Sequence, residues 1–274
     1  MPPRQKKIRG GAVITKDTLI ITLAPGQSIK TSPGAMIYMR GDINKGDVNV
    51  GPLSKAFGRM FSGENFFLTN YTSGAKGGTI ALGLSFPGDI VQINLKPDES
   101  YRISKGCFLA STPNVEIAAT VQAKGFISIG QEEGMVLPVV KCDKGTQGGI
   151  VWLGGYGSFE RHELVDASDA ITVDNGIFLA CPNEMQYELV KLGKTLLSSF
   201  VGGEGIGMKF VGPGVVYTQS KNFNDFKFMM GQTPPTTVTG ELANKAADVA
   251  AEGIWDRIVG NKGGARRRHK QATI

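Results

Sequence analysis

At 274 residues, 41% hydrophobic and 20% charged, the chain can bury a substantial core and is too apolar to be disordered. Its 38 glycines are close to twice the usual share of roughly 7% and show no Gly-X-Y period, which excludes a collagen-like rod. The formal net charge of +6 is carried by the two ends: without their nine cations, residues 10–261 hold 21 basic and 24 acidic groups, a net of −3.

In chain order, residues 1–11 read as a basic N-terminal arm, with Arg4, Lys6, Lys7 and Arg9 and no acid. Residues 12–230 read as an all-β body. Short β-branched and aromatic runs, some alternating as at Val13 and Thr15 or Ile90 and Gln92, are separated by Pro-Gly, Gly-Gly and Asp-Asn-Gly turns. The body contains three divergent units of about seventy residues, approximately 12–85, 86–155 and 156–230. Leu95–Ala110 is echoed by Leu164–Ala180 and more weakly by Leu23–Met39, which places turn glycines at Gly34, Gly106 and Gly176. A second anchor keeps the same step: Gly63-Glu64, Glu133-Gly134 and Gly203-Glu204-Gly205, each followed by two apolar runs. The expected architecture packs the three units around a pseudo-threefold core; the alternative is a two-sheet sandwich with accidental similarity. Residues 231–240, with Pro234-Pro235 and several threonines, read as a linker. Residues 241–260 read as a helix with Leu242, Ala246, Val249, Ala250, Ile254 and Ile258 on one stripe, either docked on the body or free for a partner. Residues 261–274 form a basic C-terminal arm with Lys262, Arg266, Arg267, Arg268 and Lys270.

No catalytic apparatus emerges. The only histidines are His162, in an alternating strand, and His269, in the arginine-rich arm. Leu192-Gly193-Lys194-Thr195 ends like a phosphate-binding loop, but Glu188 stands where its leading glycine belongs. Gly202–Gly207 is glycine-rich without the strand–turn–helix context of a dinucleotide site. Cys107, Cys142 and Cys181 lack metal-ligand spacing; one disulfide is possible, and a secreted disulfide framework is not expected. The in-register acids Glu64, Glu133 and Glu204, and Asp89 after Pro87-Gly88, are read as structural carboxylates that accept turn amides; a threefold cation ring is the sharper alternative. No metal or cofactor is expected.

Several stretches in this order resemble the mitochondrial biogenesis family, the altered-inheritance-of-mitochondria group. They are Phe57–Thr69, Phe86-Pro87-Gly88-Asp89-Ile90, Phe108–Pro113, Gly155-Tyr156-Gly157-Ser158, Val201–Gly205 and Phe210–Tyr217. The resemblance spans roughly residues 12–222. It implies a β-rich fold in the superfamily of the trp RNA-binding attenuation protein, double-stranded β-helix or sandwich-like, and it implies oligomerisation and no enzymatic activity. In the middle unit Gln131-Glu132-Glu133-Gly134 departs from the Gly-Gly-Glu-Gly pattern.

Two functional expectations follow. The first is a homo-oligomeric β scaffold, a trimer being the guess, whose arms Arg4, Lys6, Lys7, Arg9, Lys262, Arg266, Arg267, Arg268 and Lys270 bind DNA or RNA through phosphate, without reading sequence. The second is a protein- or membrane-interacting assembly factor whose arms serve only for targeting. With no signal core and no apolar run of about 20 residues, a soluble intracellular location is expected, a nuclear or nucleic-acid-associated compartment included.

Overall fold

The computed structural model describes residues 11–49, 68–121, 136–192 and 206–222, and every regular element in them is a β-strand. The linker, the 241–260 helix, the C-terminal arm and Arg4, Lys6, Lys7 and Arg9 lie outside the described residues.

The first stretch begins with the hairpin of β1 (Ala12–Thr15) and β2 (Thr18–Leu23), which turns at Lys16, φ 51°. Leu19, Ile21 and Leu23 alternate inward along β2, the two-residue period of a strand buried on one face. Next come β3 (Ser28–Thr31) and two long strands, β4 (Met36–Asn49) and β5 (Leu68–Gly83). β4 and β5 pair along their lengths, with register shifts that include one between Gly41 and Ile43. Only glycine fits that bend: Gly41 has φ +89°, and a Cβ there would stand 2.9 Å from the Gly77 carbonyl oxygen. On one side of the bend, Gly78–Gly83 of β5 pairs with β2 and with the start of β4. On the other, Thr69–Thr72 pairs with β3 and with the end of β4.

The middle stretch holds β6 (Gly88–Leu95), β7 (Ser100–Ile103), β8 (Phe108–Ser111), β9 (Val115–Val121), β10 (Val136–Cys142) and β11 (Gly149–Tyr156). There β11 pairs with β6 and β8, and β10 pairs with β7 and β9. The last stretch holds β12 (Phe159–Leu164), β13 (Ala170–Asp174), β14 (Phe178–Pro182), β15 (Tyr187–Lys191), β16 (Ile206–Val211) and β17 (Gly214–Gln219). In the same positions, β17 pairs with β12 and β14, and β16 pairs with β13 and β15.

Two seams join the stretches. β3 pairs with β8 and β7 pairs with β14, so the strand before Gly34 or Gly106 meets the strand that follows Gly106 or Gly176 in the next stretch. The strands therefore form sheets of eight (β1-β2-β5-β3-β8-β11-β6, with β4 on β5), six (β12-β17-β14-β7-β10-β9) and three strands (β13-β16-β15). All lie within one compact unit. Three apolar clusters fill it, each drawn mainly from one stretch and sealed by neighbours across the seams. Leu109 and Ala110 of β8 pack into the first cluster, and Leu179 and Ala180 of β14 pack into the middle one. No helix among the described residues is long and apolar enough to cross a membrane.

Candidate functional site

Of the acids and glycines singled out from the sequence, Gly63, Glu64, Glu133, Gly203, Glu204 and Gly205 lie outside the described residues. Asp89 is the second residue of β6, half-buried and opposite Gly155 of β11. Glu188, at the rejected phosphate loop, lies in β15.

Groups capable of chemistry are held in structural contacts. His162 sits on β12 with Nε2 2.9 Å from Thr218 Oγ1, a cross-strand hydrogen bond, and Glu160 Oε2 at 4.0 Å. The three cysteines are free and buried. Burial pushes the thiols of Cys107 and Cys181 up to about 12, far from the thiolate that nucleophilic chemistry needs. Asp98 bonds Lys141 at 2.7 Å and Lys144 at 3.2 Å, and those hydrogen bonds lower its pKa. Among the described residues, no group of three or more His, Cys, Asp or Glu is placed to hold a metal ion.

Cations clasp both seams. Lys30, on β3, donates from Nζ to the Val115 carbonyl at 3.1 Å. Arg102, on β7, is 1% exposed and, among the described residues, forms no ion pair with a carboxylate. Its Nη1 donates to the Met185 carbonyl at 2.7 Å, Nη2 to the Asn183 carbonyl, and Nε to Asn183 Oδ1 at 3.1 Å. The guanidinium also lies 5.4 Å from the Tyr187 ring centre. A buried charge is tolerable only when its donors are paired, and carbonyl dipoles pair this one. Each clasp starts two residues before the seam amide, Ser32 or Ser104, and ends on the carbonyl seven residues after Phe108 or Phe178. Sequence reading passed over both cations. The signal that finds them is the glycine register, since Lys30 and Arg102 each stand four residues before Gly34 or Gly106.

The outward-facing feature is the start of β4. Met36, Ile37, Tyr38 and Met39 are 38%, 54%, 46% and 39% exposed, an unbroken apolar run on a strand that, among the described residues, pairs with β5 alone. Runs of this kind on a free sheet edge mark places where another strand adds. A cavity of about 370 Å³ opens beside it, lined by Pro33, Met36 and Ile37, with Leu84, Phe86 and Leu109 across from them.

The family model for mitochondrial biogenesis AIM24 matches residues 13–221. An uncharacterised protein of Streptococcus pyogenes serotype M6 is 29% identical over 225 residues, which cover 79% of this chain and 86% of that one. A crystal structure of a Streptococcus pyogenes protein matches with a TM-score of 0.60 at 26% identity, covering 83% of this chain and 98% of that one.

Proposed function

Because the chain belongs to the mitochondrial biogenesis AIM24 family, we propose that it is a non-catalytic, homo-oligomeric β scaffold whose basic arms hold nucleic acid. Membership of that family is consistent with a protein that assembles and does not catalyse. In this reading the body is three copies of one unit. What supports it is the pairing scheme: β2, β6 and β12 each pair with the closing strand of their stretch, and β3, β7 and β13 each pair with the strand before it or with its first half. The expected kinship with the superfamily of the trp RNA-binding attenuation protein belongs to the same reading.

The observation that carries the scaffold reading is the exposed apolar edge Met36–Met39. The nucleic-acid part rests on the nine arm cations with no acid among them. Weak arms multiplied by an oligomer gain avidity, because tethered arms rebind at high effective concentration. The test is fluorescence anisotropy of labelled single- and double-stranded oligonucleotides, comparing the full chain with one carrying glutamine at all nine arm positions. A salt slope of about −8 on duplex DNA, abolished by the replacements, is expected. Equal binding by both chains would sink the arm assignment.

The apolar edge also favours a second reading, a protein- or membrane-interacting assembly factor with targeting arms. Anionic vesicles would then bind at about 1 kcal/mol per engaged cation while oligonucleotides do not bind.

A further inference from the structure

We infer that the exposed edge at Met36–Met39 is one half of a third seam, and that β13 of a second copy of this chain is its other half. The inference rests on the scaffold reading and deepens it.

Aligning Gly34, Gly106 and Gly176 places Met36–Met39 in the same position as Phe108–Ser111 and Phe178–Cys181. Those two tetrapeptides, β8 and the first four residues of β14, are completely buried, and each is covered by the strand before the turn glycine of the preceding stretch, β3 or β7. Met36–Met39 holds that place, is covered by none of the described strands and stays exposed. The matching strand before Gly176 is β13, which among the described strands pairs with β16 alone. Ala170 and Thr172 on it are exposed, as are Val165 and Val211 beside it. The described strands of each copy thus leave one edge of each kind unpaired by any other of them, left over from a seam built twice.

The formed seams dictate the register. Ser32 and Ser104 donate their N–H to Leu109 and Leu179 at 2.9 and 2.8 Å, and Thr31 and Ile103 stand opposite Ala110 and Ala180. Carried over, Asp174 bonds Ile37, Val173 faces Tyr38 and Thr172 faces Met39. Charge agrees with this partner. From Thr18 to Gly41 the chain has Lys30 and Arg40 and no acid, while from Glu163 to Val190 it has six acids and no base. The clasp position explains why the third seam is left for assembly: where β3 has Lys30 and β7 has Arg102, β13 has Thr172, too short to reach the next carbonyl. Seams of this donor-to-acceptor kind close as rings, or as a dimer with two equivalent contacts, where the rotation between copies permits, and extend as open filaments where it does not.

The test uses the full chain in light scattering and sedimentation over a concentration series. The wild type should associate reversibly. Ile37→Lys, at an exposed edge position, and Thr172→Pro, which removes an outward N–H in this register, should each weaken association at least about tenfold. Mixed together, the two variants should form a dimer and nothing larger, because each retains the edge the other lacks. Thr172→Arg should restore the clasp, reach the Ile43 carbonyl of the other copy and tighten association by about tenfold. Oligomers of wild-type mass in both edge variants would overturn the seam while leaving the scaffold reading standing. A monomeric wild type overturns both. A monomer whose 37–39 and 172–174 amides resist hydrogen exchange would show that β13 closes the seam within one chain, or that another segment covers the edge.

Discussion

β8 and the start of β4 each begin two residues after a turn glycine, Gly106 or Gly34, and they differ in what lies over them. Phe108–Ser111 has β3 on one side and β11 on the other and is buried, whereas Met36–Met39 has, among the described strands, β5 alone and is exposed. The residues are apolar in both, so composition does not set the difference. Coverage does, and a sheet edge is finished by its neighbour.

The contrast is sharpened first by truncation. Phe178, buried in the closed position and stacked on Phe210 at 5.6 Å, should lose about 3–5 kcal/mol as Phe178→Ala. Ile37→Ala at the open edge should change monomer stability by less than about 0.5 kcal/mol. Urea unfolding of both variants, at a concentration too low for association, measures the pair; equal costs would remove the distinction between closed and open positions.

The clasps come next. Arg102→Met leaves two buried carbonyls and an amide oxygen without a donor and should cost about 3 kcal/mol. Lys30→Met, which removes one partly exposed bond, should cost about 1 kcal/mol by the same titration. A smaller effect separates backbone from coverage. Gly34 and Gly106 have φ of +75° and +76° and open space where a Cβ would go, so alanine at either should cost about 1 kcal/mol by thermal melting, whether its strand is covered or not.

The smallest effect is electrostatic. Asp98, held by Lys141 and Lys144, has a pKa below its ordinary 3.8, so its contribution is present above that value and is lost as pH falls through the lowered one. Melting temperature should dip slightly more in wild type than in Asp98→Asn across that range, since asparagine tolerates the φ of 65° found there. The ion pairs are exposed, so the dip should shrink in high salt.

Much of the strand content was legible. The runs Gly78–Leu82, Gly149–Leu153 and Gly214–Tyr217, read from glycine turns and β-branched residues, lie in β5, β11 and β17. The pairing across stretches was not legible, because hydrogen bonds between distant strands leave no local periodicity. That β4 and β5 would each run unbroken through a bend was equally hidden, since Gly41, Gly77 and Gly78 look like any turn. Exposure misleads most at Met36–Met39, whose apolar character reads as core and whose surroundings make it surface. Arg102 misleads the other way, a charged residue that sequence assigns to solvent and the fold assigns to the interior.

The cation clasps bear on how such a protein can evolve. An assembly of identical small chains must place the same residue at every symmetry-related contact, so a change that loosens one loosens all. In the three-unit reading, with the corresponding strands carried in a single polypeptide, the position occupied by lysine at 30 and arginine at 102 is free to become threonine at 172. On that reading covalent continuity releases each joint to its own selection, and strength can be kept at the two formed seams while the proposed third is tuned independently.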